Sequence, residues 1–249
     1  MAESDTITIY WAPAAFTAKQ DAWNLIYRKP ESLMSFIHGE KTPGSFMSQC
    51  PAMKDTLKNV FVFKSALDDH FDINPQDLAN LKQDDTMEFI HTESIVGLRK
   101  YRPNQLKGYI NIMYNMGWFF FADQPVVAKM TAPYYPSFSP IKNALFAAGE
   151  FNIGKWFRGF DMDFHVPPET DRFDIDVDDP LFFMELETDK KIVFKRFLLT
   201  DELVKMSAEF STAPAKYGRH KTLEERYELS DDVEYPAMVL KLIKDAAVD

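Results

Sequence analysis

The sequence predicts an α+β fold, a mainly antiparallel β sandwich or barrel-like core with C-terminal helices. Three observations predict it. Short alternating or β-branched runs, bounded by Pro, Gly and polar residues, recur from residue 6 to residue 198. After residue 199 the apolar spacing turns helical. Strands therefore precede helices, which is the α+β order and not the alternation of a parallel sheet. Composition agrees, with 22 Phe, 10 Tyr and 4 Trp against 9 Gly in 249 residues. Aromatic side chains suit a pleated, half-buried surface.

Taken in order, Thr6–Ala12 alternates and is β-branched, so it reads as a first strand ended by Pro13. Residues 17–29 carry Trp23, Ile26 and Tyr27 at roughly helical spacing, and Pro30 stops that element. Ser32–Ile37 is another short element, and 39–51 is loop. Asn59–Ser65 is a strand, Pro75–Leu81 a helical turn, and Thr86–His91 and Tyr109–Met113 are strands. Gly117–Ala122 is fully apolar, which predicts a buried strand, and a turn-like Ala122-Asp123-Gln124-Pro125 then predicts a hairpin with Val126–Met130. Leu181–Glu187 and Lys191–Leu198, joined by Thr188-Asp189-Lys190, predict a second hairpin. Thr200 can cap a helix over 201–211 with Leu203, Met206 and Phe210 on one face. Thr222 and Glu225 match a capping box for a helix near 223–229. Pro236 can begin a last helix to about Ala246, with Met238, Leu240, Leu242 and Ile243 as its apolar side.

No repeat or low-complexity linker divides the chain, so one domain over 1–249 is expected, β-rich to residue 199 and helical from 200. The proline-aromatic stretch Pro133–Pro140 is the clearest internal boundary. With 28 basic and 38 acidic residues the net charge is −10, which disfavours non-specific binding to nucleic acid or anionic membranes. Cys50 is the single cysteine, so no intramolecular disulfide can form, and a reducing, cytoplasmic setting is expected. The acidic start lacks the pattern of a secretory signal, and the apolar runs fall far short of the about 20 residues that span a bilayer.

Four constellations could carry chemistry. Trp156 and Arg158 stand two apart in Ile153-Gly-Lys-Trp-Phe-Arg158, which on a strand puts them on one face. Arginine over an aromatic ring is a common recognition pair for anions or stacked rings. Tyr134 and Tyr135, in the proline stretch just before, would border the same surface. Second, His70-Phe71-Asp72 is a His-x-Asp triplet after a strand, the arrangement that supplies two ligands of an iron facial triad. His165 or His220 could complete it, with Arg172 or Arg196 available for a 2-oxoglutarate cosubstrate. The acidic context Asp68-Asp69-His70 equally describes a solvated loop. Third, Asp174, Asp176, Asp178 and Glu185 follow the spacing of a calcium loop, but Asp179 stands where the sharp turn wants glycine, and a strand with one wet face explains the alternation as well. Fourth, the Cys50 thiol, with His38 the nearest histidine in sequence, lacks any nucleophile signature around it. Gly-x-Gly-x-x-Gly, P-loop, Gly-x-Ser-x-Gly and His-Glu-x-x-His motifs are all absent from the sequence.

Gln49-Cys50-Pro51-Ala52 and the following Leu57–Ser65, with Ile153–Arg158 and the stretch from Pro180 to Phe197, resemble an uncharacterised family of large tailed marine phages, cyanophages especially. That resemblance covers about residues 45–230, implies a phage or bacterial origin and a host-cytoplasm location, and implies no activity. The expectation is a non-catalytic β-rich protein, needing no cofactor, that binds a small molecule or protein through Trp156, Arg158, Tyr134 and Tyr135. A mononuclear Fe(II)/2-oxoglutarate oxygenase with His70, Asp72 and His165 as ligands is the alternative, and a virion or assembly component is a third.

Overall fold

The structure is a computed structural model. It describes residues 5–13, 27–39, 50–66, 68–72, 86–91, 94–99, 109–133, 144–167, 169–208, 228, 231 and 233–248. Of the element expected over 17–29, only 27–29 are described, and they are neither helix nor strand; the turn expected at 75–81, Phe210 and the Thr222 capping box lie outside these residues.

The fold is α+β, as its sequence predicts. Its larger sheet runs β14 (Lys191–Arg196), β1 (Thr6–Pro13), β7 (Ile110–Ala122), β11 (Gly159–Val166), β9 (Leu145–Phe146), with β5 (Thr86–His91) and β6 (Ser94–Arg99) joined through β7. The smaller sheet runs β10 (Gly149–Asn152), β8 (Val127–Thr131), β13 (Pro180–Leu186), β3 (Val60–Lys64), β2 (Glu31–Ser32). A two-stranded ribbon pairs β4 (Asp69–Asp72) with β12 (Arg172–Ile175). Neighbouring strands are antiparallel except β1 and β14, which run parallel. The described strands form open sheets and no closed barrel. Four helices of the described residues are α1 (Leu33–Gly39), α2 (Pro51–Thr56), α3 (Asp201–Ala208) and α4 (Glu234–Asp245).

Burial explains why so many strands are apolar at every position. Successive side chains leave a strand on opposite faces, yet Trp118 to Ala122 are all buried. Trp118, Phe120 and Ala122 meet the smaller sheet in one core, while Phe119 and Phe121 lie in a second core under α3 and α4. β1 divides the same way, with Ile7, Ile9 and Trp11 in the first core and Tyr10 and Ala12 in the second. The smaller sheet is covered too, because Phe183, Val60 and Val62 pack on Leu33, Phe36 and Ile37 of α1. The order of layers is helix, sheet, sheet, helix. Continuous apolar runs are what a sheet covered on both faces requires.

Neither expected hairpin forms. β7 ends at Ala122 and β8 begins at Val127, but they belong to different sheets. β13 and β14 are likewise in different sheets. A four-residue connection reaches about 13 Å, more than the about 10 Å between packed sheets, so a turn-like tetrapeptide serves a crossover as readily as a hairpin. The two crossovers are tied together. Lys190 Nζ donates to Gln124 Oε1 at 2.8 Å, and Gln124 Nε2 donates to the Thr6 carbonyl at 3.1 Å. Thr8 N donates to Asp123 Oδ1 at 3.0 Å.

Asn59 clamps the second crossover from outside. Its φ of 57° is left-handed, a region asparagine tolerates better than most residues. Its Nδ2 donates to the Thr188 carbonyl at 2.6 Å and the Lys190 carbonyl at 3.2 Å. Asn59→Ala loses both bonds and strains the backbone, so urea unfolding should show a loss of about 2–3 kcal/mol. Asn59→Gly keeps the backbone comfortable and should lose about half of that.

Three smaller expectations are corrected and one holds. The strands expected at Tyr109–Met113 and Gly117–Ala122 are one long strand, β7, which begins at Ile110. Pro51 opens a six-residue helix instead of staying in loop, as proline suits a first helical turn. Thr200 caps α3 as expected, Leu203 N donating to its Oγ1 at 3.3 Å. The last helix begins at Glu234, and its buried stripe is Tyr235, Val239 and Ile243, while Met238 is exposed. Spacing of four keeps those three on one face; Met238 falls outside it.

Candidate functional site

A cavity of about 300 Å³ opens at the side of the sandwich where β9 and β10 are the outermost strands of their sheets. Its lining includes Met130, Gly149, Phe151, Trp156, Arg158, Phe160 and Asp163. β9 faces β11 only at Phe164 and His165. Ala147 N donates to the Asp163 carbonyl at 2.8 Å, and among the described residues no strand pairs with that side of β11 from Gly159 to Met162. The chain leaves β9, crosses between the sheets through Ala147 and Ala148, and becomes β10, framing the opening.

Trp156 and Arg158 do converge here, but not by sharing a strand. They lie in the connection between β10 and β11. That connection is rigidly built. Asn152 accepts at its carbonyl from Lys155 N at 3.2 Å and Trp156 N at 3.0 Å, and its Oδ1 accepts from Gly154 N at 3.0 Å. A Cβ at Gly154 would sit 2.4 Å from the Gln124 carbonyl oxygen, so only glycine fits without a backbone shift. Gly154→Ala should destabilise by about 1–3 kcal/mol, read as a lower urea midpoint. Phe157, fully buried against Phe119, Phe121 and Phe197, anchors the segment. Its neighbours on either side are left half-buried at the cavity.

The Arg158 guanidinium lies 5.9 Å from the centre of the Trp156 ring, within cation–π range. Arg158 Nε donates to the Gly159 carbonyl at 3.1 Å, which fixes the head of the side chain. Phe151 meets Phe160 edge to face at 4.5 Å and closes the inner wall. Gly149 leaves that wall open, since a Cβ there would meet only the Phe151 ring at 4.0 Å. Glu150 also borders the cavity, but it stands opposite Lys129 in the β8–β10 register. The Lys129 pKa is raised, first by its hydrogen bond to Glu187 and further by the charges of Glu187, Glu150 and Glu185. The Lys129 ammonium pairs with Glu187, and Glu150 adds only its charge beside that pair.

Tyr134 and Tyr135 lie outside the described residues. His70 and Asp72 fall on β4, two apart and so on one face of the ribbon, whereas His165 is on β11 of the larger sheet. Among the described residues no group of three His, Cys, Asp or Glu is placed to hold a metal ion, and the His70 side chain is not among those described. Arg172 binds Asp174 through Nε at 2.7 Å, and Arg196 lies over Trp11 at 5.7 Å; His220 lies outside the described residues. The carboxylates at 174, 176 and 178 do not continue a strand, because β12 stops at Ile175 and a turn follows. Asp178 pairs with Arg28 at 3.2 Å, and Glu185 is on β13 of another sheet. Cys50 is half-buried directly before α2, and His38 lies near the end of α1.

A second cavity of about 240 Å³, which no sequence motif signalled, lies beside β2 and β3 at the other edge of the smaller sheet. Arg28, Lys64, Glu31 and Asp178 line it over Phe63 and Trp118. Four of its charged side chains form two pairs, the part-buried Lys64 with Glu31 at 3.0 Å and the exposed Arg28 with Asp178 at 3.2 Å.

No family model, curated protein or solved structure matches this chain. Among the described residues, no helix is long and apolar enough to cross a membrane.

Proposed function

We propose that the protein acts by binding, without chemistry of its own, and that its ligand is a small molecule seated in the β10–β11 cavity. The observation that carries this is the convergence of Trp156 and Arg158, half-buried and 5.9 Å apart, on an open space of about 300 Å³. Ligand sites are concave, mostly apolar and furnished with a few placed polar groups, and run from about 300 Å³ upward. The cavity is at the small end of that range, which suits one or two rings. The phage-type origin suggested by Cys50-Pro51 and Ile153–Arg158 belongs to the same proposal and adds no chemistry to it.

Gly149→Leu tests it. The new side chain has room to enter the cavity and no left-handed backbone to strain. Ligand-observed NMR with a panel of one- and two-ring fragments at about 1 mM should give binders to the wild-type protein that Gly149→Leu no longer holds, with an unchanged melting temperature. Binders that persist in Gly149→Leu, or a panel with none, would overturn the proposal.

A further inference from the structure

Independently of the β10–β11 site, we infer that the cavity beside β2 and β3 takes a compact, neutral, ringless molecule whose carbonyl oxygen accepts from the Trp118 indole. Trp118 lines this cavity and is 3% exposed. An indole Nε1–H can only donate. Among the described residues, Trp118 Nε1 is the one buried side-chain nitrogen or oxygen of the lining with no hydrogen-bond partner. Tyr27 and Phe63 meet the Trp118 ring edge-on at 4.8 and 5.4 Å, and ring faces are weak acceptors at best. A buried donor without an acceptor forfeits its hydration and gains nothing in return. Trp11, whose ring centre lies 5.5 Å from that of Trp118, has the same unmatched Nε1 but is not on the lining. Trp118 is therefore the member of the pair that a guest in the cavity can reach.

Charge favours a neutral guest. The lining holds three cations, Arg28, Lys29 and Lys64, and two carboxylates, Glu31 and Asp178. Lys64 pairs with Glu31 at 3.0 Å and Arg28 with Asp178 at 3.2 Å, while Lys29 is exposed to solvent. Asp176 and Asp179 stand in the turn with Asp178, and Asp68 accepts from Val177 N at 2.6 Å. An anion would meet all of these carboxylates. A cation would meet Arg28, Lys29 and Lys64, and it cannot accept from an indole. A hydroxyl can accept, but it brings a donor of its own that needs a further acceptor. The oxygen of a ketone or tertiary amide only accepts, so it answers the indole and leaves no new group unmatched. Pro30, Val62, Phe63 and Ala66 supply apolar wall for the alkyl part of such a guest. At about 240 Å³ the space is smaller than the β10–β11 cavity of about 300 Å³, which suits a short alkyl compound better than a ring system.

The test is an NMR titration of the isotope-labelled full chain with N,N-dimethylacetamide, pivalate and tetramethylammonium as separate probes. Each is taken to about 50 mM, because so few atoms bind only weakly. Dimethylacetamide should move the Trp118 indole N–H signal saturably. Trp118→Phe keeps a ring and removes the N–H, so it should weaken binding about fivefold, the loss of one neutral hydrogen bond. Gly149→Leu should change nothing, since Gly149 lines the other cavity. An indole signal that dimethylacetamide leaves in place overturns the inference. So does tighter binding of pivalate or tetramethylammonium, or dimethylacetamide binding that Gly149→Leu abolishes. If Trp118→Phe does not fold, Val177→Trp at the exposed rim replaces it and should weaken binding at least as much; unchanged binding then overturns the inference. The β10–β11 reading stands or falls separately, on ring fragments and their response to Gly149→Leu.

Discussion

Ending the chain at Val233 should abolish cooperative folding. That truncation removes α4, whose Tyr235, Val239 and Ile243 are buried against the outer face of the larger sheet. At about 1.5–3 kcal/mol for each buried side chain, the loss is about 5–9 kcal/mol. Domains of this kind hold only about 5–15 kcal/mol in all. The truncation also bares Tyr10, Phe119, Phe121, Phe157 and Phe197, which together with α3 form the second core. The Tyr235 hydroxyl bond to the Met206 carbonyl, at 2.9 Å, goes with it, as does the closing bridge between Phe197 and Ala247. Thermal melting by circular dichroism should show no sigmoidal transition and the product should aggregate. A melting temperature within a few degrees of the intact chain would show that the helical layer is dispensable.

Phe63→Ala is the most damaging single substitution expected in the first core, at about 3–5 kcal/mol. Phe63 is 1% exposed and touches both sheets. Its ring stacks on Phe182 at 4.5 Å with 3° between planes, and meets Phe120 and Trp118 edge-on at 4.9 and 5.4 Å. Such pairs add to the burial of the ring. A cavity among rigid aromatic rings collapses poorly, so the cost belongs at the upper end for a large-to-small change. Phe63→Leu retains much of the volume and should cost well under half as much. Urea unfolding of both variants measures the difference; equal effects would mean that the aromatic contacts themselves contribute little.

Local pattern made the strands legible and left their partners hidden. Thr6–Ala12, Asn59–Ser65, Thr86–His91 and Leu181–Glu187 all carry strands, because β-branched and aromatic runs bounded by turn residues report local backbone preference. Asp123-Gln124-Pro125 and Thr188-Asp189-Lys190 report only that the chain changes direction. Whether it returns in the same sheet or crosses to the other is settled by which faces need cover, and that is a long-range property. The parallel pairing of β1 with β14 is equally invisible locally. At the site, the sequence points to Trp156 and Arg158 for a reason that does not hold. The period-two argument required a strand, whereas a loop anchored by Phe157 and shaped by Gly154 brings them together. Gly149, Phe151 and Asp163 left no local signal, since their part in the cavity comes from the crossing of β9 to β10 between sheets.

The central claim is that one particular cavity is the binding site. Amide and side-chain N–H shift mapping on isotope-labelled protein, titrated with the strongest fragment binder, tests it most directly. Shifts should concentrate at the Trp156 indole N–H, the Arg158 Nε–H and the amides of Gly149, Phe151 and Gly159. Shifts centred instead on Arg28, Lys64 and Ser65 around the second cavity, or scattered over the surface, would contradict it.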